Sequence, residues 1–469
     1  MRSNKPLPIY QNVEILDSGS EGKSIGRVGE MIVFVPFVVP GDVVDIQVTR
    51  KKKNFAEGKA IHFHAYSDKR VEPFCKHFGL CGGCRWQGMG YEHQLYYKQK
   101  QVSDAFDRIG KLSYPVLLPI IPSPKIQHYR NKLEYSFSNK KWLVDGPMGQ
   151  DMGEIDMRGI GFHLPLMFDR ILHLDECYLQ PEPSNQIRLA VHEIATAAGY
   201  DYYDARKYSG LMRNLMVRNT NTGDLMVILV VGSRDMEAIN LILGELRIRF
   251  PMITSLMYMV NEKSNDSLND LHAELYDGKP YMEEVMEGLT FRVGPLSFLQ
   301  VNSAQSLKMY TLTREFADLK GDELVYDLYT GTGTIANFIA SKARKVIGIE
   351  YVEAAVEDAR VNSEINGVKN TEFYAGDMAK LLTAEFFEIH GKPDVIITDP
   401  PRNGMHEHVV AQIRAAAPER VVYVSCNPAT QARDLALMTE AYVIEIVQPL
   451  DMFPHTQHVE NVTLLRRRS

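Results

Sequence analysis

The turn Asp327-Leu-Tyr-Thr-Gly-Thr-Gly333 constrains this chain more than any other feature. It follows the apolar run Leu324–Leu328 and precedes a helical stretch, so Gly331 and Gly333 sit where a strand hands over to a helix. Glycine at such a place lets the backbone turn sharply and pass close to a ligand. From about residue 295 the same grammar repeats. Lys345–Glu350 reads as a strand ending on an acid, Ala354–Ile365 as a helix, and Thr371–Tyr374 as a strand. Asp394–Thr398 ends in Asp399-Pro-Pro-Arg402, Val421–Ser425 ends in Cys426-Asn-Pro428, and Val459–Leu465 is a late strand carrying Glu460. Strands alternating with helices predict a parallel doubly wound sheet, whose ligands bind beyond the carboxyl ends of the strands. Each of these motifs falls at such an end or on the late strand.

A chain of 469 residues is too long for one core and suggests about three domains. Residues 1–68 read as a small OB-like β-barrel, because Val13–Leu16, Ile32–Val39 and Val43–Val48 are short apolar runs punctuated by glycines. Its basic tip, Arg50-Lys-Lys-Lys53, is suited to phosphate contact. Residues 69–294 form a central α+β unit with a cysteine-rich loop; within it Tyr91–Lys111 has a helical pattern with Leu95, Val102, Phe106 and Ile109 near one face. Residues 295–469 are the α/β domain. The net charge of −7 conceals an asymmetry: residues 1–140 hold 21 Lys+Arg against 13 Asp+Glu, and the rest hold 31 against 46. The basic part is thus suited to phosphates, although charge alone does not establish RNA binding. Nothing approaches the ~18 consecutive apolar residues of a membrane helix, and no apolar signal core follows Met1–Pro6. The expectation is a cytoplasmic protein without a membrane partner, and nothing in the sequence demands more than a monomer.

Gly331 and Gly333 with Glu350, nineteen residues after Gly331, would cradle a nucleoside cofactor and hold its ribose hydroxyls. That much fits a nicotinamide cofactor as well as S-adenosylmethionine. Asp399-Pro-Pro is a signature of S-adenosylmethionine enzymes acting on planar bases, and a second nucleotide-binding half is missing from the pattern. Asp377, in Ala-Gly-Asp after the third strand, is either a further cofactor contact or a turn residue. Cys426 suggests an acceptor atom that is not itself nucleophilic, such as carbon 5 of uracil. A thiolate adding to carbon 6 makes carbon 5 reactive, and a base must later remove the carbon-5 proton. Cys426 would be the nucleophile, on a loop whose helix N-termini lower its pKa from about 8.5, and Glu460 the base. Asp399 would hydrogen-bond the ring or the cofactor, and Arg402 would support the oxyanion. His455 and His458 lie beside Glu460 and are able to move protons too. A base inside a helix cannot present both faces, so the target lies in a loop or is flipped out.

With these motifs together, the chain resembles the bacterial RNA (uracil-5-)-methyltransferases, in particular the 23S ribosomal RNA branch with a TRAM domain and an iron–sulfur cluster. The resemblance implies that the barrel is an RNA-binding TRAM module and that the last domain is a Rossmann-like class I methyltransferase. It places the nucleophile on Cys426 and the proton-abstracting base on Glu460. It adds Gln300, in Ser297-Phe-Leu-Gln-Val-Asn302, and Tyr329 to Glu350 and Asp399 as cofactor contacts, and sets Phe298 near the target base. Tyr129-Arg-Asn-Lys132 corresponds to an RNA-facing stretch. Thr330 stands where the family often has Cys, and Thr334 where some relatives have Asn, so Thr334 is not counted as a contact.

Four of the five cysteines, Cys75, Cys81, Cys84 and Cys177, are spaced as metal ligands rather than as disulfides. Spacing alone does not choose between zinc and an iron–sulfur cluster; the resemblance implies a 4Fe–4S cluster, with structural zinc as the alternative. His77, Phe78, Arg85 and Trp86 make the cysteine loop a prospective RNA surface, or a shield for the metal. The sequence also admits methylation of transfer RNA, an N6-adenine methyltransferase that leaves Cys426 idle, a nicotinamide dehydrogenase, and a non-catalytic RNA-binding assembly factor.

Overall fold

The structure, a computed structural model, describes residues 7–19, 21–144, 155–165, 167–268 and 270–468. The first strands, β1 (Ile9–Ser18), β2 (Lys23–Val28), β3 (Met31–Pro36), β4 (Val43–Lys51) and β5 (Phe55–Ala65), close into a barrel of order β1-β2-β3-β5-β4. Alternation puts Val13, Ile15, Val33, Val35, Val44, Ile46 and Val48 inside. Arg70, just beyond the last strand, locks the barrel: its Nε and Nη2 grip the buried Asp42 carboxylate at 2.7 and 2.6 Å.

Helix α1 (Tyr91–Ala105) runs into a π-turn at Phe106–Gly110. The central sheet has the order β12-β11-β10-β9-β6-β7-β8. Its strands are β6 (Lys132–Ser138), β7 (Gly159–His163), β8 (Ile171–His173), β9 (Met212–Asn219), β10 (Leu225–Val231), β11 (Ser255–Val260) and β12 (Glu274–Gly278). Helices α2 (Ser184–Ala197) and α3 (Met236–Arg249) bury Ile187, Val191, Ile239, Ile242 and Leu246 against it. A hairpin, β13 (Met282–Met286) and β14 (Leu289–Val293), leads to α4 (Ser303–Ala317).

The last sheet is doubly wound. It comprises β15 (Leu324–Leu328), β16 (Lys345–Glu350), β17 (Thr371–Ala375), β18 (Val395–Thr398), β19 (Arg420–Ser425), β20 (Tyr442–Leu450) and β21 (Glu460–Arg467), in the order β17-β16-β15-β18-β19-β21-β20. Its helices are α5 (Thr334–Ala340), α6 (Glu353–Ile365), α7 (Met378–Leu381), α8 (Ala384–His390), α9 (Glu407–Ala416) and α10 (Pro428–Ala436). The first five strands are parallel, as expected, whereas β21 is antiparallel to both β19 and β20. The connection Asp451–Val459 is too short for a crossover helix, so β20 and β21 form a hairpin.

Packing departs from the expected chain divisions at two places. Val102, Ala105, Phe106 and Leu112, expected in the central unit, belong to the core of the last sheet with Tyr423, Ala432 and Val447. Met286, Phe291 and Val293 of the hairpin join the core on its other face. The inner face of α1 also differs from the pattern: Gln94, Tyr97, Lys98 and Val102 are buried, Leu95 is half-buried, and Ile109 is exposed. Polar partners on another domain override the apolar periodicity there. Among the described residues, no helix is long and apolar enough to cross a membrane.

Candidate active site

The glycine turn is built as its sequence requires. Tyr329, Gly331 and Gly333 have φ of +62°, +56° and +72°. A Cβ on Gly333 would stand 2.8 Å from the Cβ of Ala359, so glycine is needed for α6 to pack there. Gly331 instead faces open space, leaving its backbone free for a ligand's approach. The Glu350 carboxylate accepts from the N–H groups of Gly331 (3.1 Å) and Val352 (2.9 Å), which fixes its aim and leaves lone pairs for hydroxyl donors. Tyr329 and Asp377 share this rim. Burial, with the charges of Asp434, Asp377 and Glu350, pushes the Tyr329 phenol up to about 12. Asp377 caps α7, accepting from the Ala379 N–H at 3.0 Å, so one of its oxygens serves as a turn acceptor.

A second group gathers where β15, β18 and β19 end and β21 begins. Asp327 is fully buried; Thr330 Oγ1 donates to its Oδ2 at 2.5 Å, and its Oδ1 has no partner. Burial pushes its carboxyl up to about 7, and Asp399 is pushed to about 7 by burial and by the charge of Asp327. Ser425 pairs with Asn461, and Leu450 pairs with Glu460. Cys426 follows the last pair of the β19–β21 ladder and Glu460 precedes it in the chain, which brings the two near enough for the Glu460 charge to act on the thiol. Glu460 is buried, and its carboxyl is pushed up to about 8 by burial and then by Asp399, against the opposing pull of Arg402. The sequence suggested a lowered thiol at Cys426. Instead burial, reinforced by Glu460 and Asp399, pushes it up to about 11, with Arg402 opposing. Cys426 precedes Asn427, which caps α10, but nearby carboxylates and burial outweigh the helix end. His455 and His458 are both pushed down to about 4, chiefly by burial, and are neutral at neutral pH.

The loop after Asp399 is strapped to α10. The Arg402 carbonyl accepts from Asn427 Nδ2 (2.9 Å) and Thr430 Oγ1 (3.1 Å). The buried Asp434 carboxylate accepts from Met405 N–H and Tyr423 Oη, both at 2.7 Å. A Cβ on Gly404 would stand 2.5 Å from that carboxylate. Arg402 itself is exposed. On the facing side, Phe298 is 68% exposed and Gln300 is buried. Their segment is held by the buried Arg218, which donates to the carbonyls of Gly294, Pro295 and Ser297 at 2.8, 2.9 and 3.0 Å. Tyr129 and Asn131, expected to face RNA, point inward: Tyr129 Oη donates to Pro454 O (3.0 Å) and Asn131 Nδ2 to Gln300 O (2.8 Å).

Cys75, Cys81, Cys84 and Cys177 are free thiols, half-buried or buried. Burial leads in raising all four, to about 11 for Cys81 and about 12 for Cys84, and the charges of Cys75, Cys81 and Cys177 add to the shift at Cys84. The Gly83 N–H donates to Cys81 Sγ at 3.4 Å. Among the described residues, no group of three or more His, Cys, Asp or Glu is disposed to hold a metal ion. The loop's aromatic and imidazole groups are not an open RNA surface. Trp86 packs with Val39, Met89 and Tyr97, His77 is buried, and Phe78 meets Phe37 edge-on at 5.5 Å.

Sequence reasoning did not single out Gln94, Lys98, Asp434 or Asp451, all fully or nearly fully buried. Polar side chains are normally placed on the surface, so only the partners supplied by distant segments reveal them. Asp327 was visible as part of the turn, but its unpartnered oxygen was not.

The sequence model of the tRNA (uracil-5-)-methyltransferase family matches residues 281–468, and that of the TRAM domain matches residues 10–61. An uncharacterized RNA methyltransferase of Bacteroides thetaiotaomicron is 54% identical over 452 residues, covering 96% of this chain and 100% of its own. One from Porphyromonas gingivalis is 51% identical over 464 residues, covering 97% and 100%. The solved tRNA (uracil-54, C5)-methyltransferase of Pyrococcus abyssi, in complex with S-adenosyl-L-homocysteine, superposes with a TM-score of 0.74 at 26% identity, over 97% of this chain and 100% of that one. The barrel, the class I methyltransferase sheet and these likenesses agree: the chain belongs to the TRAM-bearing RNA methyltransferases of the tRNA (uracil-5-)-methyltransferase family.

Proposed function

We propose that this protein uses S-adenosylmethionine to methylate carbon 5 of a uridine in RNA, through a covalent adduct between Cys426 and carbon 6. The observation that carries this reading is that buried Glu460 begins the strand paired with β19, next to the end where Cys426 follows, close enough for its charge to act on the thiol. The cradle fits the cofactor: Gly331 is unobstructed, Glu350 is aimed by two backbone donors, and Asp327 keeps one oxygen unpartnered. Gln300, Tyr329, Glu350, Asp377 and Asp399 are the residues we assign to it. When bound, S-adenosylmethionine supplies the electrophilic methyl group.

The chain's own residues perform the rest. The Cys426 thiol gives its proton to ionised Asp399 as its sulfur bonds to carbon 6, and the electron pair of the carbon 5–carbon 6 double bond moves through the ring towards the carbon-4 oxygen. Arg402 supports the charge that develops on the uracil oxygen, and Phe298 flanks the ring. After transfer, ionised Glu460 removes the carbon-5 proton and the sulfur departs by elimination. Incubation with isotopically labelled S-adenosylmethionine and unmodified ribosomal or transfer RNA, followed by nucleoside analysis, tests the reading. Label in 5-methyluridine supports it; label in N6-methyladenosine overturns it.

For the substrate we propose 23S ribosomal RNA, on the cysteine quartet that the chain shares with that branch. Transfer RNA is the second reading, favoured by the substrate in the Pyrococcus abyssi enzyme's name; the same assay separates them. We further propose that Cys75, Cys81, Cys84 and Cys177 hold a 4Fe–4S cluster. The four thiols are free, the charges of Cys75, Cys81 and Cys177 reach Cys84, and the Gly83 N–H donates to the Cys81 sulfur. Iron and sulfide content tests this; stoichiometric zinc instead would replace it. We take the monomer as the active species, which sedimentation checks.

A further inference from the structure

We propose that Gln94 is a positioning residue for Glu460, acting through the loop Asp451–Val459, and that it couples the cysteine loop to removal of the carbon-5 proton. This rests on the reading of Glu460 as the base. The loop closes the β20–β21 hairpin, and Leu450 and Glu460 are the pair at its mouth. Whatever sets the loop's path therefore sets where the Glu460 carboxyl enters the site.

The loop is held mainly from outside its own sheet. Gln94 has no exposure. Its Oε1 accepts from the His455 N–H at 2.9 Å, while its Nε2 donates to Trp86 O at 3.0 Å and Met89 O at 2.8 Å. The cysteine loop grips the same residue through its next peptide: the Arg85 and Trp86 N–H groups donate to His455 O at 2.9 and 3.0 Å. His455 has φ +66°, a conformation a non-glycine residue keeps only when its surroundings impose it. Lys98, one turn along α1, donates to Asp451 Oδ1 (2.5 Å) and Phe453 O (2.9 Å), and Tyr91 Oη donates to Asp451 Oδ2 (2.9 Å). Lys98 and Asp451 are both fully buried. A buried ion pair gives little stability that an apolar pair would not give; what it adds is one defined path for the chain. Tyr129 Oη completes the clasp at Pro454 O. Thus α1 and the cysteine loop, which precede the catalytic sheet by hundreds of residues, hold the segment that delivers Glu460.

The test uses the full-length protein with S-adenosylmethionine and the RNA on which wild type is active. Gln94→Leu keeps volume and removes the hydrogen bonds; Tyr129→Phe removes one bond and guards against a Gln94 variant that does not fold. The readouts are steady-state turnover, methyl transfer in the first turnover, KM for RNA, and the fraction of protein covalently attached to RNA after denaturation. A base displaced by a fraction of an ångström slows elimination, so turnover should fall about 10- to 100-fold in Gln94→Leu while the adduct accumulates. First-turnover transfer and KM should stay within about threefold of wild type. Tyr129→Phe should show the same split at smaller amplitude. Unchanged turnover in both variants, or loss of transfer and elimination together without adduct, overturns the proposal. Glu460→Gln is the reference: if it accumulates no adduct, the assignment of the base fails, which is a different result from an adduct in Glu460→Gln and none in the Gln94 and Tyr129 variants.

Discussion

Around the central sheet three buried arginines are spent chiefly on the carbonyl oxygens of neighbouring loops. Arg188 donates to Leu174 O and Asp175 O, Arg213 to Asn261 O and Asn265 O, and Arg218 to the carbonyls of Gly294, Pro295 and Ser297. At the carboxyl rim of the last sheet three buried or half-buried acids lack a balancing cation: Asp327, Asp399 and Glu460 are all pushed towards neutrality. At the opposite rim of that sheet, Arg420 meets Glu323 at 3.4 Å and the usual pairing returns. Strand direction accounts for the contrast. A mostly antiparallel sheet sends its returning loops to both rims, where their carbonyls need donors, whereas parallel strands bring their carboxyl ends to one rim. The first arrangement consumes charge to hold loops; the second leaves acids poised beside a thiol. The two regions also meet, because Arg218 holds the segment that leads to Phe298 and Gln300.

The contrast breaks most completely at Cys426. Cys426→Ala should reduce methylation on the order of 10⁴-fold or more while leaving the melting temperature near wild type; labelled-methyl incorporation and a thermal melt check both. Glu460→Gln should lower turnover by about 10²- to 10⁴-fold and trap the protein on RNA, seen as a shifted band under denaturing conditions. Arg218→Leu tests the other side. It orphans three carbonyls, each costing about 1–3 kcal/mol, so denaturant unfolding should show a loss of about 3 kcal/mol or more, whereas Asp327→Asn should destabilise little.

The acids give a pH signature of opposite sign for stability and activity. Their folded values, about 7, 7 and 8, lie above the ordinary carboxyl range, so between that range and about 8 the native state holds more protons than the unfolded one. Their contribution to stability is therefore full at acid pH and is lost as pH rises through those values. Turnover limited by Glu460 should rise over the same interval and level off above about 8. Unfolding curves and rates from pH 5 to 9 test both, and a Glu460→Gln variant should flatten the stability slope. The smallest effect is expected at the barrel tip, where Arg50, Lys51, Lys52 and Lys53 are exposed. Lys52→Ala with Lys53→Ala should raise KM modestly and reduce the salt slope of RNA binding by about 0.7 per lost contact with single strands.

The barrel and the doubly wound sheet were readable because their cores depend on local periodicity: Val13, Ile15, Val33 and Val35 alternate, and Leu324–Leu328 is uniformly buried. The glycine turn was readable because positive φ restricts residue type wherever it occurs. The inner face of α1 was not, since Gln94 and Lys98 are buried by partners more than 350 residues away. The thiol of Cys426 was read with the wrong sign, because a helix start is local whereas the acids that oppose it arrive on β18 and β21.

Residue identity and spacing thus established which chemical groups the chain has and which strand ends carry them, because turns, caps and alternation act within a few residues. That the Glu460 charge reaches Cys426, that Asp327 keeps an oxygen unpartnered, and that the cysteine loop grips the segment leading to Glu460 depended on folding in three dimensions. Register, burial and the electric field at a group are set by neighbours that the chain brings together only when it closes.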